Sequence, residues 1–468
     1  MSIVRELTTL LGAENVIAGD SSAARAYLAD ETETRALTGS AAAVALPQDA
    51  ESVRAVVGWC YEHDVPVVPR GGGSGFSGGA VPSTGSVVLS LERLNQGLRF
   101  EAESWRVWVP AGVITAQLRE QARKRGFYYP PDPGSQAVSL VGGNLATNAG
   151  GPHTFKYGST STWVTGIEAV LAPGELVKIG GVARKDVGGY DLKSLLVGSE
   201  GTLGIITGAW LKLIPAPEAA LPVVGFYPDA DAGQAAIMNV LASGVTPAAI
   251  EFLDPEAMTA ALPGLKTAIS GLPESVTERA TFMVIAEADG TADQVALDRE
   301  DLIAALQDGA HAVHAPTKRK DVTALWLWRD GVSGAVTAQH GGKVSEDIVV
   351  PVERIADTVR AVHELGERHG VPTCNWGHAG DGNIHATFMV NRNDADAVHR
   401  AEQAAHELFA VAIAAGGAVS GEHGLGTVKN GMLELQWQPR ALELHEQIKQ
   451  VFDPKNLLNP GKKLARAA

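Results

Sequence analysis

The sequence predicts a chain of mixed helices and strands divided into at least two domains, and three observations carry that prediction. Strand-like runs alternate with helix-period segments from about residue 38 onward. The texture changes after Pro217, where Ala-rich helical periods lengthen. The 468 residues also exceed the ~250–300 at which one hydrophobic core stops growing.

Residues 3–30 alternate apolar and polar positions at helical spacing with a break at Asp20-Ser21, which predicts two short helices. In residues 51–64, ESVRAVVGWCYEHD, the apolar Val53, Val56, Val57 and Cys60 recur at i, i+3, i+4 and i+7, so a helix precedes the strand VPVVP. SVVLSL (86–91) and RVWVP (106–110) read as strands, and Ile114–Arg125 as a helix halted by Gly126. Residues 166–179 form two β runs around a Pro-Gly turn. GIITGAWLKLIP (204–215) closes this unit, with Pro215 and Pro217 at the boundary. Beyond it, strands such as FMVIAE (282–287) alternate with helices, and VFDPKNLLNPGKK (451–463) is a turn-rich finish. No repeat of solenoid period is present.

Composition narrows the function classes. There are 38 Lys plus Arg against 53 Asp plus Glu, a formal charge of −15, and no extended basic block, which argues against nucleic acid as a partner. Two cysteines, Cys60 and Cys374, lie far apart and suggest a reduced compartment without a disulfide framework. The N-terminus lacks the basic-then-apolar pattern of a secretory signal. No run reaches the ~18 apolar residues of a membrane span. The expectation is a cytoplasmic protein that touches a membrane only through a partner.

The 53 glycines among 468 residues, about 11 %, exceed the usual ~7 %, and they cluster. RGGGSGFSGG (70–79) directly follows the VPVVP strand. Consecutive glycines let several backbone N–H groups converge on anionic oxygens, because no Cβ blocks the approach and positive φ is allowed. A pyrophosphate suits such a cradle. The continuation SGGAVPSTG cannot open a helix, so this is not the strand–turn–helix of a Rossmann unit, and no Gly-Lys-Ser/Thr marks a P-loop. PPDPGS (130–135), VGGNLATNAGGPHTFKYG (141–158) and VGSEGTLGII (197–206) are similarly small and could lie along an extended cofactor, with Glu200 accepting from a ribityl or ribose hydroxyl.

The second chemical feature is a pair of motifs, GHAGDGNIH (377–385) and SGEHG (420–424). Imidazoles from His378 and His385 and a carboxylate from Glu422 form a mixed nitrogen and oxygen set that suits Zn, Mn or Fe with positions left open. His423, next in sequence, is then free to move a proton.

Taken in order, PRGGGSGFSGGAVP, PPDP, GGNLATNAGGP, GSEGTLGIIT, GHAGDGNIH, SGEHGLG and NLLNPGK resemble the FAD-linked oxidases with a vanillyl-alcohol-oxidase (PCMH) type of flavin domain. More narrowly the chain resembles the D-2-hydroxy-acid dehydrogenase branch, which includes D-lactate dehydrogenases, D-2-hydroxyglutarate dehydrogenases and the flavin subunit of glycolate oxidase. The resemblance runs from about residue 38 to the terminal NPGKK. It implies an α+β fold: an N-terminal helical segment (1–37), a two-subdomain PCMH-type FAD-binding domain (38–217), a substrate (cap) domain on an antiparallel sheet with the metal site (218–450), and a C-terminal segment returning to the flavin (451–468).

It also implies roles residue by residue. Arg70, Gly71, Gly72, Gly73, Ser74, Gly75 and Ser77 would hold the FAD pyrophosphate. Pro131, Asp132, Gly142, Gly143, Asn148, Gly158, Glu200, Gly201, Gly204, Ile205, Ile206 and Asn459 would line the rest of the cofactor. His378, His385 and Glu422 match the family's divalent-metal ligands and His423 its base. Arg329 and Lys343, with Ser333, fall where the family binds the substrate carboxylate, and a guanidinium can grip a carboxylate with two parallel hydrogen bonds. No histidine stands in the RGGGSGF loop, so the FAD is expected to be non-covalent. Thr387 replaces an asparagine of the 2-hydroxyglutarate enzymes, which counts against a dicarboxylate substrate.

The activity so implied is oxidation of a D-2-hydroxy acid such as D-lactate or glycolate to the 2-oxo acid. Electrons would pass to a quinone, a cytochrome or an electron-transfer flavoprotein, and a homodimer is compatible with the sequence. Two alternatives stand beside it: a flavin-binding subunit of a larger electron-transfer complex, and a redox-neutral enzyme like alkylglycerone-phosphate synthase.

Overall fold

A computed structural model describes residues 2–269, 272, 276 and 281–464. Met1 and residues 465–468 of the expected terminal segments lie outside the described residues. Among the described residues, eighteen strands form three principal sheets and one short pair.

The first sheet holds β1 (Val16–Ala18), β2 (Ala41–Ala45), β3 (Val67–Arg70) and β4 (Ser86–Ser90) in the order β1-β2-β4-β3. β4 runs parallel to both β2 and β3, and its residues are buried, as expected of parallel strands covered on both faces. The crossover from β2 to β3 is the helix Ala50–Glu62. Asp49 caps it by accepting from Ser52 N–H, and Val53, Val56, Val57 and Cys60 face the sheet.

The second sheet is antiparallel and holds β5 (Arg99–Glu101), β6 (Arg106–Pro110), β8 (Val164–Leu171), β9 (Glu175–Gly180) and β10 (Ile205–Lys212) in the order β5-β6-β10-β8-β9. β7 (Phe127–Tyr128) pairs with β11 (Ile214–Pro215). The Pro-Gly turn between β8 and β9 contains a cis Ala172–Pro173 bond.

The third sheet is antiparallel throughout. It holds β12 (Ala219–Tyr227), β13 (Ala249–Leu253), β14 (Phe282–Gly290), β15 (Ala312–His314), β16 (Gly342–Val349), β17 (Thr373–His378) and β18 (Asn383–Val390), in the order β15-β12-β14-β13-β17-β18-β16. Alternation along each strand divides two cores. Val223, Phe252, Val284 and Phe388 join the core with the helices Ala230–Ala242, Ala292–Gln307, Ile355–His369 and Ala395–Ala414. Val224, Leu253, Ile285 and Met389 join the opposite core, with the helices Pro255–Ala268, Arg319–Asp330 and Val332–His340. Helices and antiparallel strands segregated in this way make the fold α+β.

Two expectations are corrected. The first 37 residues are not purely helical: after the helix Ile3–Leu11, β1 pairs antiparallel with β2, and only 3-10 turns at Ser22–Tyr27 and Glu33–Arg35 follow. The first expected helix stops at Leu11, because β-branched Val16 and Ile17 satisfy their backbone on the sheet edge instead. The C-terminal return also begins before residue 451, because the helix Pro439–Phe452 already packs Ile448 and Phe452 against the core of the second sheet.

Candidate active site

A cavity of about 400 Å³ runs from the glycine loop after β3 to the face of the third sheet. No helix follows β3; residues 71–79 are bends and turns. Close backbone packing explains the glycines around it. A Cβ on Gly72 would stand 2.4 Å from Val138 O, and one on Gly142 would stand 2.7 Å from Ala111 Cβ. Gly75 is different: its carbonyl accepts from Glu31 N–H at 2.9 Å, but a Cβ there would meet nothing within 4 Å, so the space beside its Cα is open.

Of the residues expected at the cofactor, Arg70, Gly71, Gly72, Gly73, Ser74, Gly75, Ser77, Gly142, Gly143, Glu200, Gly201, Gly204, Ile205 and Ile206 line the cavity. Five others brace it from behind. Asp132 lies 2.5 Å from His153 Nδ1, and buried Pro131 precedes it. Asn148, at φ +54°, accepts from Ser161 N–H at 2.8 Å. Gly158 turns at φ +77° against Thr162. Asn459 donates to Gly79 O (3.0 Å) and Glu200 O (2.7 Å), so it ties two cavity walls together.

Two side chains are engaged differently from expectation. The Glu200 carboxylate accepts from Leu425 N–H at 3.0 Å and Gly426 N–H at 2.7 Å; it fixes the SGEHGLG turn rather than waiting for a hydroxyl. Arg70 donates to Ala29 O (2.6 Å) and Ala26 O (3.0 Å) and anchors the N-terminal segment. Each is satisfied within the fold because a buried charge needs partners.

The metal-type cluster is a product of sheet register. On β13, β17, β18 and β16, alternate residues present Glu251, Trp376, His378, His385, Lys343 and Asp347 to one side, while Ile250, Phe252, Ile384 and Ile348 enter the opposite core. Glu251 pairs with His378, and His385 pairs with Trp376 on one flank and Asp347 on the other. Glu422 Oε1 approaches this face, 3.3 Å from His378 Nε2 and 3.6 Å from His385 Nε2. Two tetrahedral ligands ~2.1 Å from a common ion would be separated by about 3.4 Å. The donor set therefore fits a divalent ion, with all three ligand atoms within 4.8 Å of one another.

Electrostatics in the cluster divide the two histidines. Burial opposes charge on His378, but Glu251 and Glu422 raise its pKa well above the usual value. Burial, with His423 and His378 adding to it, pushes His385 down to about 3, so that imidazole is neutral and ready to ligate. Burial also lifts Asp381 to about 6, beside Glu422 and Glu251. His423 stacks on His385 at 5.2 Å and 14°, and Phe76 of the glycine loop meets its ring at 4.8 Å. His423 thus stands between the cluster and the glycine loop.

The expected carboxylate binders also reach the cavity. Arg329 Nη2 is 2.5 Å from Glu251 Oε2, while Arg329 Nε is buried with no hydrogen-bond partner among the described residues. Lys343 Nζ donates to Ser333 O at 3.0 Å and to Ser333 Oγ. Thr387 is buried and shares a 2.9 Å hydrogen bond with Ser345.

Residues 41–180 match the family model of an FAD binding domain, and residues 216–463 match that of the FAD linked oxidases, C-terminal domain. The chain belongs to the FAD-linked oxidases. This FAD-linked oxidase is 37 % identical over 427 residues to the glycolate oxidase subunit GlcD of Bacillus subtilis, covering 91 % of this chain and 89 % of that one. It is 36 % identical to a D-lactate dehydrogenase of Archaeoglobus fulgidus (93 % and 95 % covered). To a D-2-hydroxyglutarate dehydrogenase of Xanthomonas citri pv. viticola it is 34 % identical (92 % and 90 %). The fold is shared with 4-ethylphenol oxidase from Gulosibacter chungangensis at TM-score 0.80 and 19 % identity, covering 99 % of this chain and 96 % of that one. p-Cresol methylhydroxylase aligns at TM-score 0.79 and 20 % identity, with the same coverage.

Sequence reasoning missed the two carboxylates beneath this oxidase's cluster. Glu251 holds His378 Nδ1 at 2.6 Å. Asp347 Oδ2 accepts from Ser420 Oγ and from Gly421, Glu422 and His423 N–H at 2.8–3.0 Å. Their signal was an acid within a β run, Glu251 inside the apolar AIEFL and Asp347 just before the apolar IVV of SEDIVV. No described helix is long and apolar enough to cross a membrane.

Proposed function

We propose that the chain oxidises a small D-2-hydroxy acid, of the D-lactate or glycolate class, to the 2-oxo acid. The observation that carries this reading is the position of His423, stacked on a metal-type ligand on one side and touching the FAD-loop residue Phe76 on the other. When bound, FAD supplies a two-electron oxidant and a divalent ion supplies the Lewis acidity that makes a hydroxyl easier to deprotonate.

The chain's own residues do the rest. His378, His385 and Glu422 hold the ion, and His423 takes the hydroxyl proton as general base. Arg329 Nε, a buried donor without a partner among the described residues, and Lys343 grip the substrate carboxylate and turn the reacting carbon toward the cradle. Ser333 positions Lys343 Nζ. Thr387, already bonded to Ser345, offers little to a second carboxylate, which favours a short substrate. The curated relatives that are named as glycolate oxidase subunits favour a partner protein that receives the electrons.

The test is anaerobic mixing of the flavin-loaded protein with a panel of D and L hydroxy acids. Bleaching of the flavin by a D acid, slowed ~10²–10⁴-fold in His423→Ala, is expected. Stripping with a chelator should abolish reduction, and Mn²⁺ or Zn²⁺ should restore it. No bleaching by any acid would overturn the activity, and unchanged rates after verified metal loss would overturn the metal role.

A further inference from the structure

One carboxylate touches both halves of the proposed site. Glu251 is fully buried on β13 and lies opposite His378 on β17. Its Oε1 is 2.6 Å from His378 Nδ1, and its Oε2 is 2.5 Å from Arg329 Nη2. The first contact requires a proton on His378 Nδ1, so that Nε2, 3.3 Å from Glu422 Oε1, is the nitrogen left to take an ion. The second is an ion-pair contact with the guanidinium, whose Nε and Nη2 both lack a hydrogen-bond partner among the described residues, and Arg329 lines the cavity.

We propose that Glu251 is a positioning residue that couples the metal cluster to the carboxylate grip, by setting the tautomer of His378 and the orientation of Arg329 at once. The inference rests on the proposed function. An acid is needed rather than an amide, because both contacts demand an acceptor. A carboxylate offers two acceptor oxygens and a glutamine side chain offers one. If the substituted amide turned its oxygen to His378, its NH₂ would face the guanidinium. If it turned its oxygen to Arg329, its NH₂ would donate to Nδ1 and move the ring proton to Nε2, where a metal would bind. Glu251→Gln therefore loses one function in either rotamer.

Mn²⁺ binding to the metal-stripped, flavin-loaded protein tests this by calorimetry, with and without oxalate as a probe that spans a metal and a guanidinium. Wild type should bind Mn²⁺, and oxalate should tighten it. In Glu251→Gln, with flavin absorbance and melting temperature retained, the Mn²⁺ Kd should rise ~10–100-fold and the tightening by oxalate should shrink toward none. Glu251→Asp, which keeps the charge but withdraws it by one methylene, should show the same loss in milder form and decides the matter if the Gln variant does not fold. Mn²⁺ affinity and oxalate tightening both within twofold of wild type in the folded variants would overturn the coupling. A wild type that binds no Mn²⁺, Zn²⁺ or Fe²⁺ would instead overturn the metal reading, and the coupling with it.

Discussion

Asp347→Asn should disarm the site without emptying the cradle. Asp347 Oδ2 receives Ser420 Oγ at 2.8 Å and three successive backbone N–H groups, those of Gly421, Glu422 and His423, at 2.8–3.0 Å. Such a nest of N–H groups needs an anion at its focus. Burial alone would raise this carboxyl, but His423, Lys429 and the His423 backbone N–H hold it well below the usual range, so it is ionised. In the Asn variant the amide oxygen can fill the nest only by turning its NH₂ onto Asn383 Nδ2, which now donates to Asp347 Oδ1. Asn383 cannot flip to help, because the same NH₂ also donates to Ile348 O at 2.9 Å. A hydrogen bond to a charged acceptor is worth about 1 kcal/mol more than a neutral one, so four of them lose about 3–4 kcal/mol, in line with the ~3–5 for breaking a buried charged pairing. At ~2–4 °C per kcal/mol for a domain of this size, melting should fall by roughly 6–16 °C. A shift of about 1 Å in Glu422 and His423 should slow flavin reduction ~10²-fold, measured by anaerobic stopped flow, while FAD content holds. Reduction within threefold of wild type, with melting unchanged, would refute the anchoring role.

Three further outcomes are expected. His153 bridges Asp132 Oδ2 (2.5 Å) and Glu287 Oε1 (3.0 Å), and although burial opposes its charge, Asp132 raises its pKa well above 6.5. A raised folded pKa gives stability that is complete below ~6.5 and lost as pH rises through the folded value; melting temperature should therefore drop above pH 6.5 more steeply in wild type than in His153→Gln, and parallel curves would contradict it. Gly75→Ala, whose Cβ meets nothing within 4 Å, should leave the flavin-free protein's melting temperature alone and weaken FAD binding in a fluorescence titration. Gly201→Ala, whose Cβ would lie 2.3 Å from Pro69 Cγ at φ +73°, should cost about 1–3 kcal/mol of stability before any flavin is added.

How much of this was legible in the sequence follows from where each residue's partners lie. The glycine loop and the His378, His385, Glu422 and His423 set sit in contiguous motifs, so local spacing exposed them. Whether a small or polar residue in such a motif faces the cavity or braces it depends on side-chain direction, and spacing is silent on that. Asn148, Gly158, Asp132 and Asn459 read like cofactor contacts, and in the fold each also makes contacts that hold the loops. The carboxylates beneath the cluster were illegible for a different reason. Glu251 and His378 are 127 positions apart, and only the strand order β13-β17-β18-β16 puts them on one face.

Even so, an acid inside an apolar β run carries its own message, because burying it unpaired costs far more than a strand can recover. Five such acids in the third sheet each find a partner where function or assembly needs one, Glu346 meeting Arg35 and Lys429. Glu251 meets His378 and Arg329, and Asp347 meets the turn that carries Glu422 and His423. Glu287 meets His153, and Asp289 meets Lys156 at 2.5 Å, both across the junction between the FAD-binding part and the third sheet. Two of the five thus organise the site, and Glu287 and Asp289 hold that sheet against the FAD-binding part.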